Sequence, residues 1–255
     1  INILRSFWPG MQKYAAFQQK RCGKFYPTAK KLRLSLKDRK YLNNYGQAYG
    51  EWAEPQDVNP QTWKTCVITH PETATAYTGY IMGLMAEIAE TLGEPEKAKA
   101  YREFSENNKK SYQALMRSEE YSLDTERQAQ LVRGLYFDML DPGQRTYAEK
   151  RLIEALDHYG WRLGTGFLST PLILDVLTKI DPEAAYRLLE NEEIPGWLSM
   201  PKNGATTIWE AWEGPHTVNG GIASLNHYSK GAVVEWLFST MCGIHVTGEN
   251  SFIIA

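Results

Sequence analysis

Five prolines, Pro71, Pro95, Pro142, Pro171 and Pro182, stand at the heads of runs whose apolar residues recur at three- and four-residue steps. Proline suits the first turn of a helix because its missing N–H would have no partner there and its φ is already set. A chain punctuated this way folds into short helices laid down in pairs. Strand–helix alternation is lacking, which argues against a parallel sheet.

The clearest run spans residues 70–92. Thr69 is placed to cap it, Pro71 sits at the first helical position, and Glu72 complements the helix dipole. Ile81, Leu84, Met85, Ile88 and Leu92 share one face, and Gly93 ends the helix. The next helix, from Pro95 to about Met116, has sparser apolar positions (Tyr101, Phe104, Tyr112, Leu115), so one side is wet. Further helices are expected over 124–139 and 143–158, from Ser169 to Lys179, from Asp181 to Leu189, and over 228–241, where Val233, Trp236, Leu237 and Met241 form a stripe.

Between the helices lie segments rich in Gly, Trp and Tyr: NNYGQAYGEW (43–52), YGWRLGTGF (159–167), IPGWLSMPKNGATTIWEAWEG (194–214) and NGGIASLNHY (219–228). Loops held on a rigid frame are where binding chemistry usually sits. The aromatic content, 8 Trp and 15 Tyr, suits sugar stacking and equally suits plain helix packing. Near-balanced charge, formally −2, gives no sign of a nucleic-acid partner, and no apolar run is long enough to cross a membrane. Cys22, Cys66 and Cys242 are scattered and odd in number, and the five histidines lack metal-ligand spacing. Neither a disulfide framework nor a metal or cofactor site is implied.

The ends have their own signals. The chain starts without Met in INILRSFW and stops within the β-branched run GENSFIIA, which reads as a strand without a partner. The expectation is an internal piece of a longer protein, whose compartment, cytoplasmic or exported, stays open. TLGEPEKAKAYREF (91–104) is similar to a tetratricopeptide turn, which would make the chain a peptide-binding solenoid. No second copy follows at the required spacing of about 34 residues.

Glu210 is the unusual charge. GATTIWEAWEG (204–214) sets it between Trp209 and Trp212, where partial desolvation tends to raise a carboxyl pKa and make it a usable acid or base near neutrality. The alternative is a glutamate that merely solubilises a loop. Glu213 reads as a surface charge.

GATTIWEAW followed by SLNHYSKGAVVEWLF resembles the catalytic domain of glycoside hydrolase family 78, the α-L-rhamnosidases. YGEW (49–52), TATAYTGYIMGLMAEIAETLG (73–93), LGTGFLSTPLILDVL (163–177) and AYRLLENEEIPGWLSM (185–200) match in the same order, so the resemblance covers nearly the whole chain. It implies an all-α fold, part of an (α/α)6 barrel of the six-hairpin glycosidase type, truncated at both ends. Residues 1–243 would be the carboxyl-terminal part of that barrel, and 244–255 the start of a further β-sandwich domain.

The resemblance further implies an inverting hydrolase acting on rhamnose-containing glycosides, with one carboxylic acid as proton donor and another as base. The glutamate of TTxWE, here Glu210, would be the general base. His227 would bind sugar hydroxyls, and Trp52 and Trp197 would wall the pocket, with Tyr77 a further candidate. For each of these four, ordinary packing is the competing explanation. A polysaccharide lyase on the same barrel and a non-catalytic sugar- or peptide-binding module are the other functional readings.

Two departures stand out. Many relatives read WERW where this chain has Trp209-Glu210-Ala211-Trp212, so a cation beside the base is missing. The DxxERxGWxGD-like motif that carries the general acid is not found either, so the expectation is a base without its acid, inactive alone, with the other barrel half supplied by the rest of the protein.

Overall fold

The computed structural model describes residues 1–24, 32–46, 48–62, 64, 67–216, 223–248 and 251–254. Helices dominate it, and the chain packs into two compact units. The first unit comprises residues 1–50, 62–125 and 133–151; the second comprises 51–61, 126–132 and 152–255.

The first unit is built on α1 (Asn2–Arg21), α2 (Pro71–Thr91) and α3 (Pro95–Leu115). Its core joins Trp8 and Ala15 of α1 to Met82, Met85 and Ala89 of α2, then to Leu92 and Ala98 at the turn into α3. Ile81 and Ile88 pack partly buried against it, whereas Leu84 is 38% exposed and Met82 takes the inward place. His70, not Thr69, occupies the N-cap position of α2, and no side chain caps it. Below that first turn Glu72 is buried, accepting from Tyr112 Oη at 2.9 Å and from Arg133 Nε at 3.1 Å. This ion pair is almost wholly removed from solvent, and both partners are needed to offset the cost of burying either.

Two helices run through the unit boundaries: α4 (Gln128–Tyr136) and α5 (Pro142–His158). The sequence pattern places the start of α4 near residue 124, but the structure starts it at Gln128. Arg127 is turned aside there to meet Glu54, donating from Nε at 2.8 Å. In the second unit α6 (Thr170–Ile180) and α7 (Pro182–Leu189) pack as a hairpin. Asp181 caps α7, its carboxylate accepting from Glu183 N at 3.1 Å. A short helix, α8 (Ser199–Lys202), follows.

The expected helix over 228–241 is broken into three. A 3₁₀ turn (Ser229–Ala232) leads into α9 (Val233–Trp236), and a π turn (Leu237–Met241) closes it. The wider π turn rotates the stripe off the core: Val233 and Trp236 are buried, but Met241 is 45% exposed. The carboxyl-terminal strand does have a partner. β1 (Ile244–Gly248) pairs antiparallel with β2 (Ser251–Ile254), aligning Ile244 with Ile254 and Val246 with Phe252. Cys66 and residues 219–222 of NGGIASLNHY lie outside the described residues.

Candidate active site

Four of the five expected site residues, Trp52, Trp197, Glu210 and His227, belong to the second unit. Their placement begins with a carboxylate the sequence did not single out. Glu51 is 1% exposed; its Oε1 accepts from Gly166 N at 3.0 Å and Ser169 N at 2.8 Å, and its Oε2 accepts from Ser169 Oγ at 2.8 Å. Ser169 is the N-cap residue of α6, so the negative charge sits where the helix presents its positive end. The loop is fixed from the other side as well, because Gln61 Nε2 donates to the Glu51 carbonyl and Ala53 N donates to Gln61 Oε1.

This anchorage brings the backbone of Trp52 against residues 166–167. Phe167 N donates to the Trp52 carbonyl at 2.8 Å, and a Cβ on Gly166 would stand 2.2 Å from that oxygen. Only glycine fits there. With its main chain held, Trp52 points its indole N–H at Glu210 Oε1, 3.2 Å away.

Glu210 is half-buried, and its surroundings are donors rather than a dry slot. Oε2 accepts from Ser224 N at 2.8 Å, and Glu210 N returns a bond to Ser224 O at 2.9 Å. His227 N donates to Ile208 O at 2.7 Å, so residues 208–210 are hydrogen-bonded alongside 224–227. The Glu210 carbonyl accepts from the ammonium of Lys230.

The expected upward pKa is therefore corrected. Burial, the largest single influence, does push Glu210 up. The Ser224 N–H, the Trp52 indole and the fields of His227 and Lys230 together outweigh it, leaving the carboxyl below its ordinary value. At neutral pH the group is an anion, ready to take a proton and unsuited to give one.

The two neighbouring indoles are structural. Trp212 is fully buried and donates to Thr165 O at 2.7 Å. Trp209 is 4% exposed and closes over Gly214, where a Cβ would meet its ring at 2.1 Å. Trp197 is also buried, edge-on to Trp212 at 6.0 Å, with its N–H donating to Lys230 O at 3.0 Å. It supports the site from within the packing and is not an open wall. The His227 ring stacks on Phe167 at 4.8 Å and on Tyr228 at 5.1 Å. Its Nδ1 accepts from Ser229 N at 3.3 Å, which leaves Nε2 as the ring nitrogen not used in that bond.

A model of the bacterial alpha-L-rhamnosidase 6 hairpin glycosidase domain matches residues 1–241. The chain belongs to the bacterial α-L-rhamnosidase six-hairpin glycosidase family. An alpha-L-rhamnosidase of Formosa agariphila is 30% identical over 203 residues, covering 77% of this chain and 22% of that protein. One from Streptomyces avermitilis is 31% identical over 201 residues, covering 77% of this chain and 18% of that protein. The crystal structure of a Streptomyces avermitilis alpha-L-rhamnosidase complexed with L-rhamnose superposes with a TM-score of 0.79 at 26% identity, over 99% of this chain and 22% of that one. The chain thus spans about a fifth of the length of the relatives it matches.

In this six-hairpin glycosidase domain Tyr77 belongs to the first unit. It meets Phe137 edge-on at 4.9 Å and lines a cleft of about 170 Å³ with Gln18, Asn43, His70 and Thr78. Glu213 is not the surface charge its sequence suggests, since it is half-buried and accepts from Gln56 N at 3.1 Å. Lys230 and Glu51 were missed altogether. A signal for Lys230 was present, because it stands three residues before Val233 and six before Trp236, on the buried side of a helical stripe.

Proposed function

We propose that this domain contributes the general-base side of an inverting α-L-rhamnosidase, releasing terminal α-L-rhamnose from glycosides or polysaccharides. The supporting observation is the donor set on Glu210: one indole N–H and one backbone N–H hold its carboxylate ionised below its usual range. An inverting base must be anionic before reaction, and it must hold one water beneath the anomeric carbon. Glu210 takes a proton from that water as oxygen attacks, and the glycosidic oxygen leaves from the opposite face with a proton from a second carboxylic acid.

That acid stands about 6.5–9.5 Å from the base in inverting enzymes and must keep its proton at working pH. The neighbouring carboxylates are poor candidates. Glu51 is engaged by three hydrogen bonds from residues 166–169 and Glu54 by the Arg127 guanidinium, so neither is free to reach a leaving oxygen. The acid is therefore assigned to none of these, and the chain alone is expected to be inactive. His227 offers Nε2 to a sugar hydroxyl, Trp52 combines its bond to Glu210 with an apolar face for the C6 methyl, and Tyr77 is a subsidiary contact.

The test uses the protein encoded by the complete reading frame and an aryl α-L-rhamnoside. Glu210→Gln should lower kcat by about 10²–10⁴-fold, the contribution of a positioned base. Proton NMR should show β-L-rhamnose as the first-formed sugar. An α-anomer, an unsaturated product absorbing in the ultraviolet, or full activity in the Gln variant would each overturn the reading.

A further inference from the structure

Lys230 is fully buried, which a lysine does only at a cost. Its ammonium donates to the Glu210 carbonyl and lies 4.5 Å from the Trp212 ring centroid and 5.2 Å from that of Phe167. Its own carbonyl is tied to the Trp197 indole. The titratable groups around it come from three segments: Glu210 and Glu213 from the 204–214 stretch, Glu51 from the 51–61 loop, and His227 beside it in the chain. No surface role explains this placement. The side chain connects the backbone of residue 210 to the aromatic floor and brings a positive charge into a cluster of carboxylates.

We infer that Lys230 is a positioning residue for Glu210, fixing its main chain through the Glu210 carbonyl and bringing a buried positive charge close to its carboxylate. This rests on Glu210 acting as the base. The charge that Ala211 does not provide then comes from a residue remote in sequence. The device also has an upper limit in pH. Burial brings Lys230 down to about 7 while Glu213, Glu210 and Glu51 pull the other way, so the ammonium is lost as the solution turns alkaline. Above that point the neutral amine still fills the space but no longer offsets the charge of Glu210.

The experiment is a ¹³C NMR titration of the full chain, labelled at lysine Cε and glutamate Cδ. In the unmodified protein, Lys230 should lose its proton near neutrality, and the Glu210 carboxyl signal should move in the same step. Lys230→Met should raise the Glu210 midpoint by at least about half a pH unit. Lys230→Arg, which stays charged, should keep the lowered midpoint while erasing the step near neutrality. A Glu210 signal that ignores the titration of Lys230 overturns the inference, and this needs no variant that might misfold. So does an unchanged Glu210 midpoint in folded Lys230→Met. In the active enzyme, Lys230→Met should depress kcat more than it alters KM and remove a limb near pH 7. Failure of the base assignment itself is read separately, from turnover by Glu210→Gln.

Discussion

Glu210 is pulled two ways, and the balance sets its chemistry. Burial favours the neutral acid, while two N–H donors and nearby positive charge favour the anion and prevail. The sign follows directly. A carboxyl with a depressed folded pKa stabilises the fold above its unfolded pKa, near 4.3, and that contribution disappears as pH falls through the folded value. The acid limb of kcat/KM should accordingly lie below the ordinary glutamate range. Trp52→Phe keeps a ring in place but removes one donor to the charge, an interaction worth roughly 1.5 kcal/mol or more. The limb should then move toward neutrality, with a loss of roughly tenfold in kcat/KM at pH 4 and much less at pH 7. The position of Glu210 was legible in its motif, but the direction of its shift was not. Flanking tryptophans suggest dryness, whereas the deciding donors come from Trp52 and Ser224, which only the folded chain brings to it.

At the scale of elements, the proline-headed helices are legible because the proline and the apolar period act within a few residues, whereas only α7 has the side-chain cap its sequence suggests. α2, α3, α6 and α7 start where local chemistry puts them. Failures came where a distant partner decides: Arg127 delays α4 by bonding Glu54, and a π turn redirects the last helix. Buried carboxylates were equally hidden, and two can be tested. Glu51→Ala removes the acceptor for Gly166 N, Ser169 N and Ser169 Oγ, so it should lower the unfolding free energy by on the order of 3 kcal/mol in urea titration. Arg133→Met strands the Glu72 carboxylate inside the first unit and should cost about 3–5 kcal/mol. Pairing it with Glu72→Leu should recover most of that loss. If the double variant is no better than the single, the penalty is one of packing and not of an unpaired charge.

For the whole chain, apolar surface is unevenly distributed. α2 buries Met82, Met85 and Ala89 and α3 buries Tyr112 and Leu115, yet the β1–β2 hairpin leaves Val246 82%, Phe252 65% and Ile254 69% exposed. Within the β segment expected over 244–255, β2 reads as an apolar run, whereas His245 and Thr247 dilute the apolar signal of β1. Two short strands bury too little to stabilise anything by themselves, and their exposed edges invite pairing with other chains. The segment before them is secured independently, with Trp236 Nε1 donating to Thr178 Oγ1 at 3.0 Å and its ring edge-on to Tyr186 at 5.3 Å. Ending the chain at Gly243 should therefore leave Tm within about 2 °C, since so little burial is lost. Light scattering at a fixed concentration should show slower aggregation than for the 255-residue chain. A fall in Tm beyond about 5 °C would mean the hairpin is integral to the second unit's packing.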